Sequence, residues 1–267
     1  MSTRPRFFCF SHIPKTAGTT FYTILERQFH GKFHKASHGF YEARINSQQI
    51  KWVLDQGTGL RCLAGHSVSA DLPYDHSEYN VIGITFLRDP VDRLLSEYFY
   101  LKKLGFRNFI NRDWNSFLEE IAEKGPENNF WNLQAKYLQI SPKNMASRLA
   151  EGKLIAIPQH KYDEGLMLLK YIFPEEFADI SYVSQNINPD RVRELECPDW
   201  FKDQCLAVDY EIFDKACAIF DRQIKVSFGS KLDMLRVNHR NSCHQRKFFK
   251  QPVKSLFSKI NSVLEKW

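Results

Sequence analysis

The fold of this 267-residue chain is decided near its start. Residues 7–20 read Phe7-Phe8-Cys9-Phe10-Ser11-His12-Ile13-Pro14-Lys15-Thr16-Ala17-Gly18-Thr19-Thr20. The first part is a short, continuous apolar run, which is typical of a strand buried on both faces. The second part is a loop punctuated by Pro14 and Gly18, after which apolar residues recur at helical spacing from Phe21 to Phe29. A strand, a glycine-containing loop and a helix form the βα unit with which α/β proteins hold phosphate groups.

The same alternation continues along the chain. Apolar runs predict further strands over residues 60–66, 81–88, 154–157 and 180–183. The helical signals are a start at Asp89 and Pro90, a mostly helical stretch over 114–149, and a helix over 162–173. Strands that alternate with helices predict an α/β fold with three layers (α/β/α), P-loop-like, around a mostly parallel central sheet.

Composition and cysteine usage exclude several classes of protein. Hydrophobic residues make up 43% and charged residues 25% of the chain, which are values of a globular protein rather than a disordered or fibrous one. The longest apolar run is far shorter than the roughly 20 residues that span a bilayer, and we see no secretory signal. The six cysteines form no C-x-x-C pair, so we expect reduced thiols and a cytoplasmic protein.

Charge divides the chain unevenly. The net charge is +6, but residues 231–267 carry nine basic and two acidic side chains, so the remainder is close to neutral. After Pro252 the apolar residues recur at helical spacing, which predicts an amphipathic helix. We therefore divide the chain into one domain over residues 1–240 and a basic amphipathic segment over 241–267. That segment either packs on the domain or makes a peripheral contact with an anionic membrane or a partner.

Residues 13–20 carry groups that bind phosphate. They combine backbone N–H groups at a helix start with the Lys15 ammonium and the hydroxyls of Thr19 and Thr20. In the Walker A motif of nucleoside triphosphatases the lysine follows the second glycine, whereas Lys15 precedes Gly18. The loop therefore has the chemistry of a phosphate site but not the order of an ordinary triphosphatase. A plain βα turn with a solvated lysine is the alternative.

Two segments together resemble a known family. Residues 12–20 resemble the loop with which sulfotransferases bind the 5′-phosphosulfate of 3′-phosphoadenosine 5′-phosphosulfate (PAPS). The segment similar to their 3′-phosphate site reads Phe86-Leu87-Arg88-Asp89-Pro90-Val91-Asp92-Arg93-Leu94-Leu95-Ser96-Glu97-Tyr98. The resemblance is to carbohydrate sulfotransferases (sulfotransferase family 2) of the heparan sulfate 2-O-sulfotransferase type and their bacterial relatives. It covers most of residues 7–240.

The spacing within the second segment suits a single phosphate. Ser96 lies two helical turns past the Asp89 cap and on the same face, so Arg88 and Ser96 can converge. Arginine would bind the phosphate through a charged fork and serine through its hydroxyl. The alternative for Arg88 is a structural ion pair with Asp92 or another nearby carboxylate.

A third motif, Gly65-His66, follows the second predicted strand. In the family that this chain resembles, a Gly-His at a strand end before the 3′-phosphate segment supplies the catalytic base. Open α/β sheets also bind ligands at the carboxyl ends of their strands. The resemblance therefore implies that His66 is the general base. A hydrogen-bonded histidine of the core or rim is the alternative, and His12 and His160 are weaker candidates for the base.

The resemblance also implies the remaining roles. Lys15 would stabilise the leaving oxygen, and no metal would take part. The residues that would hold the 5′-phosphate are Lys15, Thr16, Ala17, Gly18, Thr19 and Thr20. The reaction would move the sulfuryl group of PAPS to a hydroxyl of a saccharide or glycoconjugate, without a nucleic-acid partner. A P-loop small-molecule kinase is one alternative, and a non-catalytic protein that binds anions or a membrane surface is another.

Three further segments have competing interpretations. Residues 132–138 resemble a segment of bacterial members of the family, either near the acceptor site or in a packing role. Residues 236–242 are a candidate for enclosing the nucleotide. His30, His34 and His38 recur every four residues, as metal ligands on a helix do. Glycines interrupt that segment and no carboxylate or cysteine is in register, so we predict no metal site there.

Overall fold

Within the residues that the structure describes, the central sheet has five parallel strands in the order β2-β3-β1-β4-β5. The computed structural model describes residues 4–36, 44–106, 109, 111–183 and 195–247. The strands are β1 (Arg6–Ser11), β2 (Phe33–Ala36), β3 (Cys62–Gly65), β4 (Asn80–Leu87) and β5 (Leu154–Pro158). The predicted α/β class with a mostly parallel sheet is confirmed.

Helices connect and flank these strands. They are α1 (Gly18–Gln28), α2 (Ser47–Asp55), α3 (Pro90–Lys103), α4 (Trp114–Lys124), α5 (Leu133–Leu138), α6 (Pro142–Ala150), α7 (Tyr162–Ile172), α8 (Asp199–Cys205), α9 (Ala207–Phe228) and α10, which covers residues 232–247. The predicted start of α3 is confirmed, because Pro90 is its first residue and the Asp89 carboxylate accepts from the Asp92 N–H at 2.9 Å. The predicted helices over 114–149 and 162–173 are also present.

The layers follow from the alternation of side chains along β1. Phe8 and Phe10 belong to the apolar cluster that contains the buried faces of α1 and α7, whereas Phe7 and Cys9 belong to the cluster with α2. Successive side chains of a strand point to opposite faces, so an uninterrupted apolar strand needs a helical layer on each side. The sheet therefore lies between two helical layers, as the sequence predicts.

The strands differ from the sequence-based prediction in two places. Residues 180–183, predicted as a strand, have no regular structure, because their backbone groups form hydrogen bonds with side chains instead of with a neighbouring strand. Arg27 Nη2 donates to the carbonyl oxygens of Asp179 and Ser181 at 2.7 and 2.8 Å, and the Tyr182 N–H donates to Cys243 Sγ. Strand β2 was not predicted. Its residues Phe33, His34 and Lys35 are partly or fully exposed and show no apolar run.

Strands β1, β3 and β4, which precede the candidate site residues, end at the same edge of the sheet. In the register of the sheet, Ser11 of β1 lies opposite Gly65 of β3 and Thr85 of β4. The loop after β1, the residue after β3 and the first residue after β4 are thus neighbours, although they are far apart in sequence. The phosphate loop, His66 and Arg88 consequently meet at the carboxyl edge of the sheet.

Among the described residues, no helix combines the length and apolarity needed to span a bilayer. Helix α10 runs through residue 240, the boundary proposed between the domain and the basic segment, and Arg246 pairs with Asp179. The rest of that segment, residues 248–267, lies outside the described residues.

Candidate active site

The loop between β1 and α1 is held in an unusual backbone conformation. Lys15 and Ala17 both have positive φ, of 69° and 70°, the left-handed region that costs a non-glycine residue about 1–2 kcal/mol. The hydroxyl of Thr16, between them, donates to the Ile13 carbonyl oxygen at 2.8 Å and is fully buried. Strain of this kind persists where the surrounding structure fixes it, and it clusters at functional sites. The Thr16 hydroxyl therefore closes the loop.

Gly18 is required by a close approach to His12. A Cβ built on Gly18 would lie 2.1 Å from His12 Cδ2, which no side chain can tolerate without movement. The His12 ring is buried between Phe10, Tyr22 and His66. Burial, the nearby His66 and Lys35 lower the pKa of His12 well below its usual range, so this ring is neutral at physiological pH.

The N-terminus of α1 lacks the side-chain cap that four other helices of the chain have. Helices α2, α3, α4 and α6 begin with Asn46, Asp89, Asp113 and Ser141, whose side chains accept a first-turn N–H. Helix α1 begins after Ala17, which offers no side-chain acceptor, and its first turn holds no acidic residue. The first N–H groups of a helix and its dipole favour an anion, so this end is suited to one.

Lys15 adds a cation beside that helix end. Burial lowers its pKa, Glu97 opposes this effect, and Arg88 and Arg93 add to it. The Lys15 ammonium lies 3.8 Å from the centre of the Tyr100 ring on α3, a cation–π contact. The ammonium is therefore partly desolvated in a group of positive charges, which makes it a strong partner for an anion.

Arg88 is attached to the phosphate loop. Its Nη1 donates to the Lys15 carbonyl oxygen at 3.1 Å, while its Nη2 lies 4.0 Å from Oδ2 of Asp92, which is 46% exposed. An ion pair at this distance to an exposed carboxylate contributes little. The guanidinium thus contacts both the loop and Asp92, and a role of Arg88 at a phosphate stays a prediction.

Ser96 lies on the face of α3 that borders these two cations. Asp92, Ser96 and Tyr100 are spaced four residues apart and so share one face of the helix. Arg88 reaches Asp92 at one end of this row, and Lys15 reaches Tyr100 at the other. Ser96 is therefore between the positions where the two cations touch the helix, and its side chain is only partly buried.

His66 is fixed by the same loop. Its Nδ1 lies 2.7 Å from the His12 carbonyl oxygen, and because a carbonyl only accepts, the proton is on Nδ1. In the neutral ring the lone pair is then on Nε2, the nitrogen that can act as a base. Burial lowers the pKa of His66, the bond to His12 opposes this, and the cations Arg44 and Lys35 lower it further. The imidazole is therefore neutral at physiological pH, the protonation state that a general base needs.

Arg44 and Tyr137 both lie next to His66. Arg44 donates to the His66 carbonyl oxygen, and its guanidinium lies 3.7 Å from the centre of the Tyr137 ring. The Tyr137 ring in turn meets the His66 ring edge-on at 6.3 Å. Tyr137 belongs to the segment 132–138, so this part of that segment does border the candidate base. Arg44 belongs to no sequence motif that could have marked it as a site residue.

A buried ion pair supports α3 beneath the site. Arg93 and Glu97 are 99% and 94% buried and lie 3.4 Å apart, one turn from each other on the helix. Both interact electrostatically with Lys15. Charged residues in the sequence of a helix are usually exposed, so this pair could not be told from surface charges before the structure was known.

The remaining segments lie elsewhere. In residues 236–242, Arg236 pairs with Glu164 and Asp233, and His239 lies 3.5 Å from Asp163, so this segment ties α10 to the start of α7. His34 is on β2 rather than on a helix, and His38 lies outside the described residues. The described part of the chain holds no group of three side chains that could bind a metal ion. His160 is exposed in a short 3-10 turn, away from the phosphate loop in sequence.

Comparison with known proteins identifies the family. The model of the sulfotransferase family matches residues 3–153, which is more than half of the chain and includes the phosphate loop, His66, Arg88 and Ser96. A search of the curated proteins gave no match. A crystal structure of a sulfotransferase from Alicyclobacillus acidocaldarius is similar at 15% identity and a TM-score of 0.43, over 82% of this chain and 97% of that chain. The match to the family model alone carries the assignment: this chain belongs to the sulfotransferase family.

Proposed function

We propose that this protein transfers the sulfuryl group of PAPS to a hydroxyl of a carbohydrate-type acceptor, with His66 as the general base. The observation that carries the proposal is a pair of contacts to one loop. The carbonyl oxygen of His12 accepts from His66, and that of Lys15 accepts from Arg88. The residues that we assign as base and as phosphate-binding cation are thus both hydrogen-bonded to the backbone of the same loop.

The groups around the loop suit PAPS, which carries a phosphosulfate and a 3′-phosphate. The uncapped start of α1 and the backbone of residues 16–20 would hold the 5′-phosphosulfate, together with Lys15, Thr19 and Thr20. Arg88 and Ser96 would hold the 3′-phosphate. When bound, PAPS supplies the sulfuryl group and leaves as adenosine 3′,5′-bisphosphate.

We assign a residue to the proton transfer and another to the departure of the leaving group. His66 would accept the proton of the acceptor hydroxyl at Nε2 as the new oxygen–sulfur bond forms. The bond between sulfur and the bridging phosphate oxygen would break at the same time, and the Lys15 ammonium would stabilise the negative charge left on that oxygen. The protonated His66 would lose its proton to solvent after the sulfated product departs.

The surroundings of His66 favour a polar acceptor. A hydroxyl that reaches Nε2 would come close to the Tyr137 ring and to Arg44, an aromatic face and a hydrogen-bond donor. Amphipathic rings with polar neighbours are suited to hydroxyl-rich molecules, which is consistent with a saccharide or glycoconjugate. Contact between the basic segment and a membrane remains a prediction that concerns a separate part of the chain.

Transfer of radioactive sulfur from labelled PAPS tests the proposal. Purified protein would be incubated with a panel that contains a polysaccharide, a glycolipid and small glycosides. We expect label in at least one saccharide acceptor, and its loss in Lys15→Ala. Lys51→Ala is the matched control, because Lys51 is an exposed lysine paired with Asp55 on α2. Absence of transfer to every acceptor, from protein that still binds adenosine 3′,5′-bisphosphate, would favour a non-catalytic anion-binding role.

A further inference from the structure

Gln134, near the start of α5, pairs with the main chain of Arg88. Its side chain is completely buried. Oε1 accepts from the Arg88 N–H at 3.0 Å, and Nε2 donates to the Arg88 carbonyl oxygen at 2.9 Å. The side-chain amide thus satisfies both backbone groups of a residue that lies 46 positions earlier in the sequence.

The bonds occur where the sheet stops supporting the chain. The pairing of β4 with β1 ends at Thr85, and its pairing with β5 ends at Leu87, opposite Pro158. Arg88 is the next residue, and neither strand pairing extends to it. The primary amide of Gln134 has the same donor and acceptor as a peptide group, so it continues the hydrogen bonding of the strand by one residue.

Gln134 is itself held between two helices that cap each other. The carboxylate of Asp209, on α9, accepts from the N–H groups of Gln134 and Ala135 at 3.1 and 2.8 Å. In return, Oδ1 of Asn132, the residue before α5, accepts from the N–H groups of Val208 and Asp209 at 3.0 and 3.1 Å. These reciprocal bonds fix the start of α5 relative to α9, and they leave the Gln134 amide little freedom to shift.

We propose that Gln134 is a positioning residue for the 3′-phosphate of the nucleotide. By fixing both peptide groups of Arg88, it sets the direction in which that side chain leaves β4 toward the phosphate loop. The guanidinium then needs no reorganisation to bind the 3′-phosphate, and preorganisation of this kind contributes to affinity. This inference rests on the proposed function, because it concerns the residue assigned there to the 3′-phosphate.

The test compares two nucleotides by calorimetry. Adenosine 3′,5′-bisphosphate carries the 3′-phosphate and adenosine 5′-monophosphate lacks it. The dissociation constant of the monophosphate divided by that of the bisphosphate therefore reports on Arg88. Gln134→Met keeps the size of the side chain and removes both hydrogen bonds. We expect it to lower that ratio by roughly three- to tenfold, as for the loss of one or two net hydrogen bonds. Affinity for the monophosphate should change by less than about twofold, since the phosphate loop is untouched.

A second variant and a control keep the test decisive. Gln134→Glu keeps the size and the acceptor for the Arg88 N–H but, when ionised, cannot donate to its carbonyl oxygen, so its ratio should fall between wild type and Gln134→Met. Leu133→Ala removes a buried packing residue of the same helix without touching Arg88, and it should lose stability while its ratio is unchanged.

The outcomes separate the two proposals. An unchanged ratio in Gln134→Met, or an equal fall in Leu133→Ala, would overturn the role of Gln134 while the proposed function stands. If wild-type protein does not prefer the bisphosphate, the assignment of Arg88 fails, and the role of Gln134 fails with it. If Gln134→Met does not fold, an unchanged ratio in Gln134→Glu overturns the proposal in the same way.

Discussion

The imidazole of His66 donates its Nδ1 proton to the carbonyl oxygen of His12, at a distance of 2.7 Å. This bond joins the residue after β3 to the beginning of the phosphate loop. Any shift of the loop therefore moves the candidate base, and the tautomer that presents Nε2 as a base is fixed by the backbone rather than by a carboxylate. Because a neutral carbonyl stabilises the charged ring less than a carboxylate does, burial still keeps the pKa of His66 low.

Replacement of His66 by alanine should abolish most of the catalysis and leave nucleotide binding intact. Loss of a general base typically lowers kcat by about 10²–10⁴-fold. Affinity for adenosine 3′,5′-bisphosphate should be unchanged, since Lys15, Arg88 and Ser96 remain. His160→Ala is the control, because this exposed histidine is one of the two weaker candidates for the base and should retain full turnover. Loss of nucleotide binding or of folding in His66→Ala would assign this residue a structural role.

The pH dependence of the rate should reflect the lowered pKa of His66. The base acts unprotonated, so the rate falls as the pH drops through that pKa, which lies below the ordinary value of 6.5. Burial is the largest cause of the shift, and Arg44 contributes through its charge. Arg44→Gln should therefore raise the pKa and move the acid limb of kcat to higher pH. An exposed cation on α2 offers the control, and Lys51→Gln should leave the limb in place. A limb that does not move in Arg44→Gln would show that another group controls it.

Local signals made much of this site predictable. The apolar run of β1, the glycine loop and the Asp89-Pro90 start of α3 are each encoded within a few residues, and the structure has them where the sequence indicated. His66 was indicated by the Gly-His motif of the family that the chain resembles, and its position after an apolar strand predicted that it lies at the shared carboxyl edge of the sheet. Short-range physics was sufficient for the strand, the loop and the helix start.

The rest depends on contacts that no local pattern encodes. Gln134 and Asp209 are 75 residues apart, and nothing in either neighbourhood indicates that each will cap or pair with the other. Arg44 donates a hydrogen bond to the carbonyl oxygen of His66, which lies 22 residues later in the sequence. Strand β2 belongs to the sheet through its pairing with β3, and its His34 and Lys35 side chains are exposed. Its sequence therefore has no hydrophobic period that would predict a strand. Residues 180–183 looked like a strand from their composition, but the Ser181 carbonyl oxygen accepts from Arg27 and the Tyr182 N–H donates to Cys243 Sγ.

A double-mutant cycle should expose the contact between Gly18 and His12. In Gly18→Ala the new Cβ would overlap the His12 ring, and such overpacking costs roughly 1–3 kcal/mol. His12→Ala removes the ring and leaves space, so the double variant should lose less stability than the sum of the two single variants. Urea unfolding of the four proteins measures this coupling. Strict additivity would contradict the argument that Gly18 is needed for packing against His12.

Arg88 and Ser96 should determine the preference for a 3′-phosphate. A hydrogen bond to a charged group contributes about 1.5–3 kcal/mol, so Arg88→Ala should reduce affinity for adenosine 3′,5′-bisphosphate tenfold or more. Ser96→Ala should cause a smaller loss, since only one hydroxyl is removed. Affinity for adenosine 5′-monophosphate should stay constant in both. Ser116→Ala, at an exposed serine in the first turn of α4, serves as the control for a lost hydroxyl. A parallel loss of affinity for both nucleotides would place Arg88 at the 5′-phosphosulfate instead.

The contribution of Asp209 to the stability of the protein should fall as the pH rises from about 4 to 6. Burial raises the pKa of this carboxyl from 3.8 to about 6, and the N–H groups of Ala135 and Gln134 only partly oppose it. The folded state thus holds a proton that the unfolded state releases near pH 4, so unfolding becomes easier as the pH rises through this window. A shift of this size corresponds to at most about 3 kcal/mol.

Asp209→Asn tests this contribution. The amide cannot ionise, and it can accept only one of the two N–H groups, so the variant should be less stable than wild type at low pH but should lack the decline between pH 4 and 6. Asp214→Asn, at an exposed carboxyl on the same helix, should keep the decline. Urea unfolding at a series of pH values measures all three proteins. If the free energy of unfolding depends on pH between 4 and 6 in Asp209→Asn as it does in wild type, then Asp209 makes no such contribution.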